Sequence, residues 1–192
     1  MCGLLFNADS LGANPLAFAL RRLTLSIRLN TPPVDFSFTA SEAFMKNIEN
    51  PYTNSECFFC SPNNPAGLKL TFQETETEPN ELVCEWFPPA TYKSFGRILH
   101  GGIQSGLFDE IMGWTTLHIT KKVAVTSGIQ VEFLKPLYVE QQIEVRCRID
   151  STNGKRINLT AEIRNSKHEI CSRATGTYVL MDPEKFKLAV QE

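Results

Sequence analysis

Between Leu68 and Met181 apolar residues recur at every second position in six runs, and one stretch, Leu99 to Thr116, replaces that period with helical spacing. GLKLTFQ puts Leu68, Leu70 and Phe72 on one face, and LVCEW does the same with Leu82, Cys84 and Trp86. VAVTSGIQVEFLKP follows the helical stretch. IEVRCRID then turns Ile143, Val145, Cys147 and Ile149 inward, INLTAEI turns Ile157, Leu159, Ala161 and Ile163 inward, and a last run spans about Glu169 to Met181. One substantial helix among five or six antiparallel strands is an α+β arrangement in which the sheet must wrap the helix to bury it. In the turn STNGK, a loop of Asn153, Gly154 and Lys155 sets Arg146 opposite Glu162 and Glu144 opposite Arg164; the neighbouring register opposes Glu144 to Glu162 and is disfavoured.

A chain of 192 residues with 42% hydrophobic content holds one compact domain and little room for a second. Lysines and arginines number 19 against 21 acids, so no chain-wide basic field exists to attract nucleic acid or anionic lipid, and no nucleic-acid partner is expected. No apolar run approaches the roughly 20 residues that cross a bilayer, so no membrane span is expected. No secretory signal is seen, and the six cysteines read as reduced thiols. Cys84 and Cys147 sit on apolar faces. Cys57 and Cys60 form a close pair, read as a turn ahead of the first strand; with no second pair at metal spacing, no metal is expected.

Residues 1–44 differ from the rest. From Ser10 to Val34 there is no acid, Arg21, Arg22 and Arg28 sit among leucines and serines, and Pro32-Pro33 stops any helix. This composition is similar to a mitochondrial transit peptide; the other reading is an extension upstream of a true start at Met45. The expected division is an extension over 1–44 and a domain over 45–192, with a cytoplasmic location or, given a genuine transit peptide, a mitochondrial one.

Wound at about 100° per residue, the helix gathers Ile103, Leu107, Phe108, Ile111, Met112 and Trp114 on one broad side. Opposite lie Gly102, Ser105, Gly106, Asp109, Gly113 and Thr116, all small except the acid. Interior glycines each cost a helix about 1 kcal/mol relative to alanine, so Gly106 and Gly113 beside an acid suggest that something approaches closely. Glu110 points elsewhere and is read as solvated or strand-paired. Gly101 and Gly102, just after His100, expose amides at the helix N-terminus that suit a developing oxyanion, and Asp109, two turns on, faces a group held there. The other reading of Asp109 is a helix acid bonded to a neighbouring strand.

Four segments carry a resemblance: CFFCSPNNPAGLKL (57–70), GRILHGGIQSGLFDEIMGW (96–114), VEFLKPL (131–137) and GKR (154–156). They resemble the hotdog-fold acyl-CoA thioesterases, in particular the phenylacetate-pathway type, over Cys57 to Met181. The resemblance implies one long helix wrapped by an antiparallel sheet, with active sites formed where subunits pair as a homodimer or homotetramer. It implies that Asp109 attacks the thioester carbon or activates water, that Gly102 with Gly101 polarises the carbonyl, and that His100 shapes the turn. Thr126 stands where relatives place a hydroxyl from the partner subunit, with Ser127 close enough to confuse the assignment. Some relatives carry Asn or Gln about six residues before the histidine, where this chain has Ser94, and Ser61 replaces a usual glycine. For the phosphates of coenzyme A the candidates are Lys155 and Arg156 at the hairpin turn and Lys135. The implied reaction is acyl-CoA hydrolysis with no metal or redox cofactor. The alternatives are a non-catalytic acyl-CoA binder and, with less support, a hydratase or dehydratase of the same fold.

Overall fold

The computed structural model describes residues 45–52, 55–76, 78–184 and 186. All belong to the unit formed by residues 40–192. The expected extension, residues 1–44, lies outside the described residues.

Seven strands and one α-helix follow in chain order: β1 (Met45–Asn47), β2 (Gln73–Thr75), β3 (Glu81–Trp86), α1 (Gly101–Thr120), β4 (Ala124–Phe133), β5 (Ile143–Asn153), β6 (Arg156–Asn165) and β7 (Ile170–Leu180). They make one antiparallel sheet in the order β1-β2-β3-β5-β6-β7-β4. The sheet exceeds the expected five or six strands by its short β1 and β2, three residues each, too brief to leave a period. No described helix is long and apolar enough to cross a membrane.

The helix buries Leu107, Phe108, Ile111, Met112 and Trp114 against Leu82, Cys84, Ile143, Val145, Cys147, Ile157, Leu159, Ala161 and Ile163 of the sheet, the residues whose alternation aims them inward. Each such large side chain stabilises the fold by about 1.5–3 kcal/mol through removal from water. Ile103, Ile149 and Trp86 are only partly buried at the rim. Trp114 stacks on Phe72 with ring centroids 4.9 Å apart.

Two expectations shift. Leu68, Leu70 and Phe72 are buried as read, yet Leu68–Phe72 is not a strand: Lys69 adopts φ +54°, and the Leu68 and Leu70 amides donate to the Phe58 and Phe59 carbonyls. The turn around the cysteine pair captures this segment before the sheet can. In the β5–β6 hairpin Glu144 does oppose Arg164 and Arg146 opposes Glu162, but the loop is Gly154-Lys155 between Asn153 and Arg156. A bulge between Ile149 and Ser151 absorbs the extra residue. The shortest contacts of those charges run elsewhere, Arg146 to Glu144 at 2.7 Å and to Glu81 at 2.8 Å, and Arg164 to Glu162. Burial pushes the Glu81 and Glu162 carboxyls up from their ordinary range despite these arginines.

Candidate active site

Asp109 sits mid-helix with an exposed side chain. Two hydroxyls converge on its Oδ1: Thr126 of β4 donates at 2.6 Å and Tyr178 of β7 at 2.7 Å, the phenol also reaching the Asp109 carbonyl at 2.9 Å. β4 and β7 are paired with Thr126 opposite Tyr178, so the sheet itself sets both donors under the helix. Tyr178 is 1% exposed, and burial first, then the Asp109 carboxylate, drive its phenol far above the ordinary tyrosine range, which keeps it a donor. Among the described residues no donor reaches Oδ2. One oxygen is fixed and the other is left for a substrate or a water.

A bulge separates the two expected hydroxyl candidates, Thr126 and Ser127. Pairing jumps from Thr126 to Gly128, leaving Ser127 out of the ladder, so Thr126 alone meets Asp109. Thr126 does so within one chain, whereas the resemblance implied a hydroxyl from a partner.

Asp109 and Thr126 line a cavity of about 420 Å³ with Glu110, Gly113, Trp114, Val123–Val125, Tyr178 and, from the turn region, Asn50, Tyr52, Cys57 and Cys60. Gly113 faces open space there, while at Gly106 an added Cβ would lie 2.2 Å from the Phe59 ring. The two helix glycines thus serve different approaches: a cavity at Gly113, a packed aromatic at Gly106. Thr116, read as part of the open stripe, is fully buried.

The N-terminal glycines lie elsewhere. His100 caps the helix, its Nδ1 accepting from the Gly102 amide at 2.9 Å. That amide is therefore engaged by a side chain and not open to an oxyanion. Gly101 lines a separate cavity of about 360 Å³ with Ser94, Gln104, Phe133 and Lys135, and the Phe133 ring lies against it. Seven residues of helix put Gly102 and Asp109 about 10 Å apart along the axis, too far for one carbonyl to be gripped between them in a single chain. The expectation that Asp109 faces a group held at the glycine pair fails in that form.

The other expected binding residues disperse. Ser94 turns its hydroxyl onto the Ile98 carbonyl. Lys135 is exposed and pairs with Glu169 at 2.8 Å, which raises its amine from the ordinary value. Arg156 is exposed at the hairpin. Lys155 lines a third cavity, about 460 Å³, together with Lys121 and Lys122, which the sequence reading did not single out. This cavity shares Val123 and Phe186 with the one at Asp109.

Glu110 is half-buried and, among the described residues, not strand-paired. It accepts from Trp114 Nε1 at 3.0 Å and meets Cys57 Sγ at 3.8 Å, and Cys57, Cys60 and Glu110 offer ligand atoms within 4.8 Å of one another. The sequence reading missed this because the acid lies fifty residues beyond the pair. Tyr178 left a signal: in β7 it shares an inward face with Ala174 and Gly176, and a phenol on an apolar face needs an acceptor.

Residues 96–172 match the sequence model of the thioesterase superfamily. Two relatives share sequence: verlamelin biosynthesis protein B of Lecanicillium sp, 29% identical over 59% of this chain and 66% of that protein, and acyl-coenzyme A thioesterase THEM4 of Bos taurus, 25% identical over 46% and 36%. The chain spans less than two thirds of either. Among solved structures, the E. coli PaaI protein of the phenylacetic acid degradation operon superposes with TM-score 0.54 at 16% identity, covering 60% of this chain and 81% of PaaI. A Streptococcus pneumoniae hypothetical thioesterase with coenzyme A superposes with TM-score 0.52 at 16% identity, covering 54% and 80%. One helix wrapped by an antiparallel sheet is the hotdog fold, and residues 96–172 of that fold are similar to the thioesterase superfamily.

Proposed function

We propose that this protein hydrolyses an acyl-CoA thioester to the free acid and coenzyme A. The observation that carries the proposal is the Asp109 carboxylate, held at Oδ1 by Thr126 and Tyr178 with Oδ2 unengaged, on the wall of a cavity large enough for an acyl chain. Oδ2 takes a proton from water as the water oxygen adds to the thioester carbon; the tetrahedral intermediate then expels the coenzyme A thiolate, which regains a proton. In the other form of the step, Oδ2 adds to that carbon, the thiolate leaves, and water cleaves the resulting anhydride.

The amide donors that the resemblance implies for the developing oxyanion lie about 10 Å along the helix from Asp109 in one chain. A second copy, bringing the Gly101 amide at the N-terminal end of its helix to this Asp109, supplies such a donor and makes the working unit a homodimer or a homotetramer. The shape of β4 supports this. Among the described residues it is paired on one edge only, most of its residues are exposed, and it ends at Phe133, 56% exposed. Lys121, Lys122 and Lys155, beside the same cavity, are placed to meet the phosphates of coenzyme A, ahead of Lys135 and Arg156.

The test is a panel of short, medium, long and aryl acyl-CoAs with wild type and Asp109→Asn. Wild type should hydrolyse at least one, with the variant at least about a hundredfold slower. Equal binding without turnover by both would favour a non-catalytic acyl-CoA binder.

A further inference from the structure

The cavity wall facing α1 carries a cluster that the hydrolysis does not use. The turn Cys57–Ser61, closed by the Ser61 amide on the Cys57 carbonyl, presents two thiols toward the helix, where Glu110 projects between them. Cys57 Sγ lies 3.8 Å from both Glu110 oxygens, and the three ligand atoms all fall within 4.8 Å of one another. For a tetrahedral ion with bonds of about 2.3 Å to sulfur and 2.0 Å to oxygen, neighbouring ligands stand roughly 3.5–3.8 Å apart, so the cluster is already near the edge lengths of such a site.

The surroundings fit as well. Trp114 Nε1 fixes the Glu110 carboxylate at 3.0 Å, and Asn50 Nδ2 lies 4.0 Å from Cys60 Sγ, the orienting contacts that ligands of a metal commonly receive. All three groups are half-buried and all line the cavity, so the fourth position is open to water.

We propose that Cys57, Cys60 and Glu110 form a site for a thiophilic divalent cation, zinc by its ligand chemistry, which clips the 55–61 turn to α1 at the mouth of the cavity. Binding displaces two thiol protons per ion, so affinity rises with pH. The site stands apart from the thioesterase reading: the chain could bind the ion without hydrolysing acyl-CoA, or the reverse.

The test uses the full chain, reduced and stripped with a chelator, then titrated with Co²⁺ followed by Zn²⁺. The expected result is one equivalent of Co²⁺, with a thiolate-to-cobalt charge-transfer band and the visible bands of tetrahedral cobalt, both removed by Zn²⁺. Cys57→Ser and Cys60→Ser should abolish the charge-transfer band, and Glu110→Gln should keep it while weakening affinity at least about tenfold. Zn²⁺ should raise the melting temperature of wild type and leave that of Cys57→Ser/Cys60→Ser unchanged, a readout that does not depend on activity. Three outcomes overturn the proposal: no stoichiometric cobalt band, a band that survives both serine variants, or a mass loss of two hydrogens showing that Cys57 and Cys60 close a disulfide in preference to taking metal.

Discussion

The Tyr178 phenol, from the last strand, donates to the side-chain Oδ1 and to the main-chain carbonyl of Asp109, mid-helix, at 2.7 and 2.9 Å. One buried hydroxyl thus ties the sheet to the helix and aims the carboxylate. Tyr178→Phe loses a bond to a charged acceptor, about 1.5–3 kcal/mol, which lowers the melting temperature by roughly 5 °C. Thr126, exposed on β4, has no such structural burden. Steady-state kinetics on the best acyl-CoA should show Thr126→Val lowering kcat about tenfold with little change in melting, and Tyr178→Phe lowering both. An unchanged kcat in both variants would show that neither hydroxyl serves the reaction.

The two helix glycines should respond oppositely to alanine. At Gly113 nothing lies within 4 Å of an added Cβ, so Gly113→Ala should stabilise by about 0.5–1 kcal/mol. At Gly106 the methyl meets the Phe59 ring, and overpacking of this kind costs about 1–3 kcal/mol, more than the helix gains. Thermal melts of the two variants decide this; a stabilised Gly106→Ala would mean that Phe59 moves aside freely.

The proposed assembly rests on the unfilled edge of β4 and on the roughly 10 Å of helix between Gly102 and Asp109. Light scattering should report a dimer or tetramer, with specific activity falling on dilution below the dissociation range. A clean, fully active monomer contradicts a shared site.

The lysines beside the cavity should act on binding more than on chemistry. Lys121→Ala/Lys122→Ala/Lys155→Ala should raise KM about tenfold or more with kcat nearly kept, and its KM should depend less on salt than that of wild type. If Lys135→Ala or Arg156→Ala has the larger effect, the phosphates lie where the sequence resemblance suggested.

Much of the architecture was legible because period determines it. Strict alternation in IEVRCRID and INLTAEI fixes which residues face the helix, and like-charge repulsion between Glu144 and Glu162 selects the register that the hairpin adopts. The site was legible in part. An acid among small residues on a helix marks Asp109, but the fixed Oδ1, the bulge that chooses Thr126 over Ser127, and the Cys57–Cys60–Glu110 cluster have no local pattern, since each joins residues from separate elements.

The amino-acid order by itself determined one wrapped helix, its inward faces, and a carboxylate kept clear of bulk, because hydrophobic periodicity and steric size are properties of neighbours along the chain. Only the tertiary structure decided which groups touch that carboxylate, that His100 engages the Gly102 amide, and that Gly101 lines a different cavity. Those are distances between elements, set by strand order and packing, which no spacing along the chain encodes.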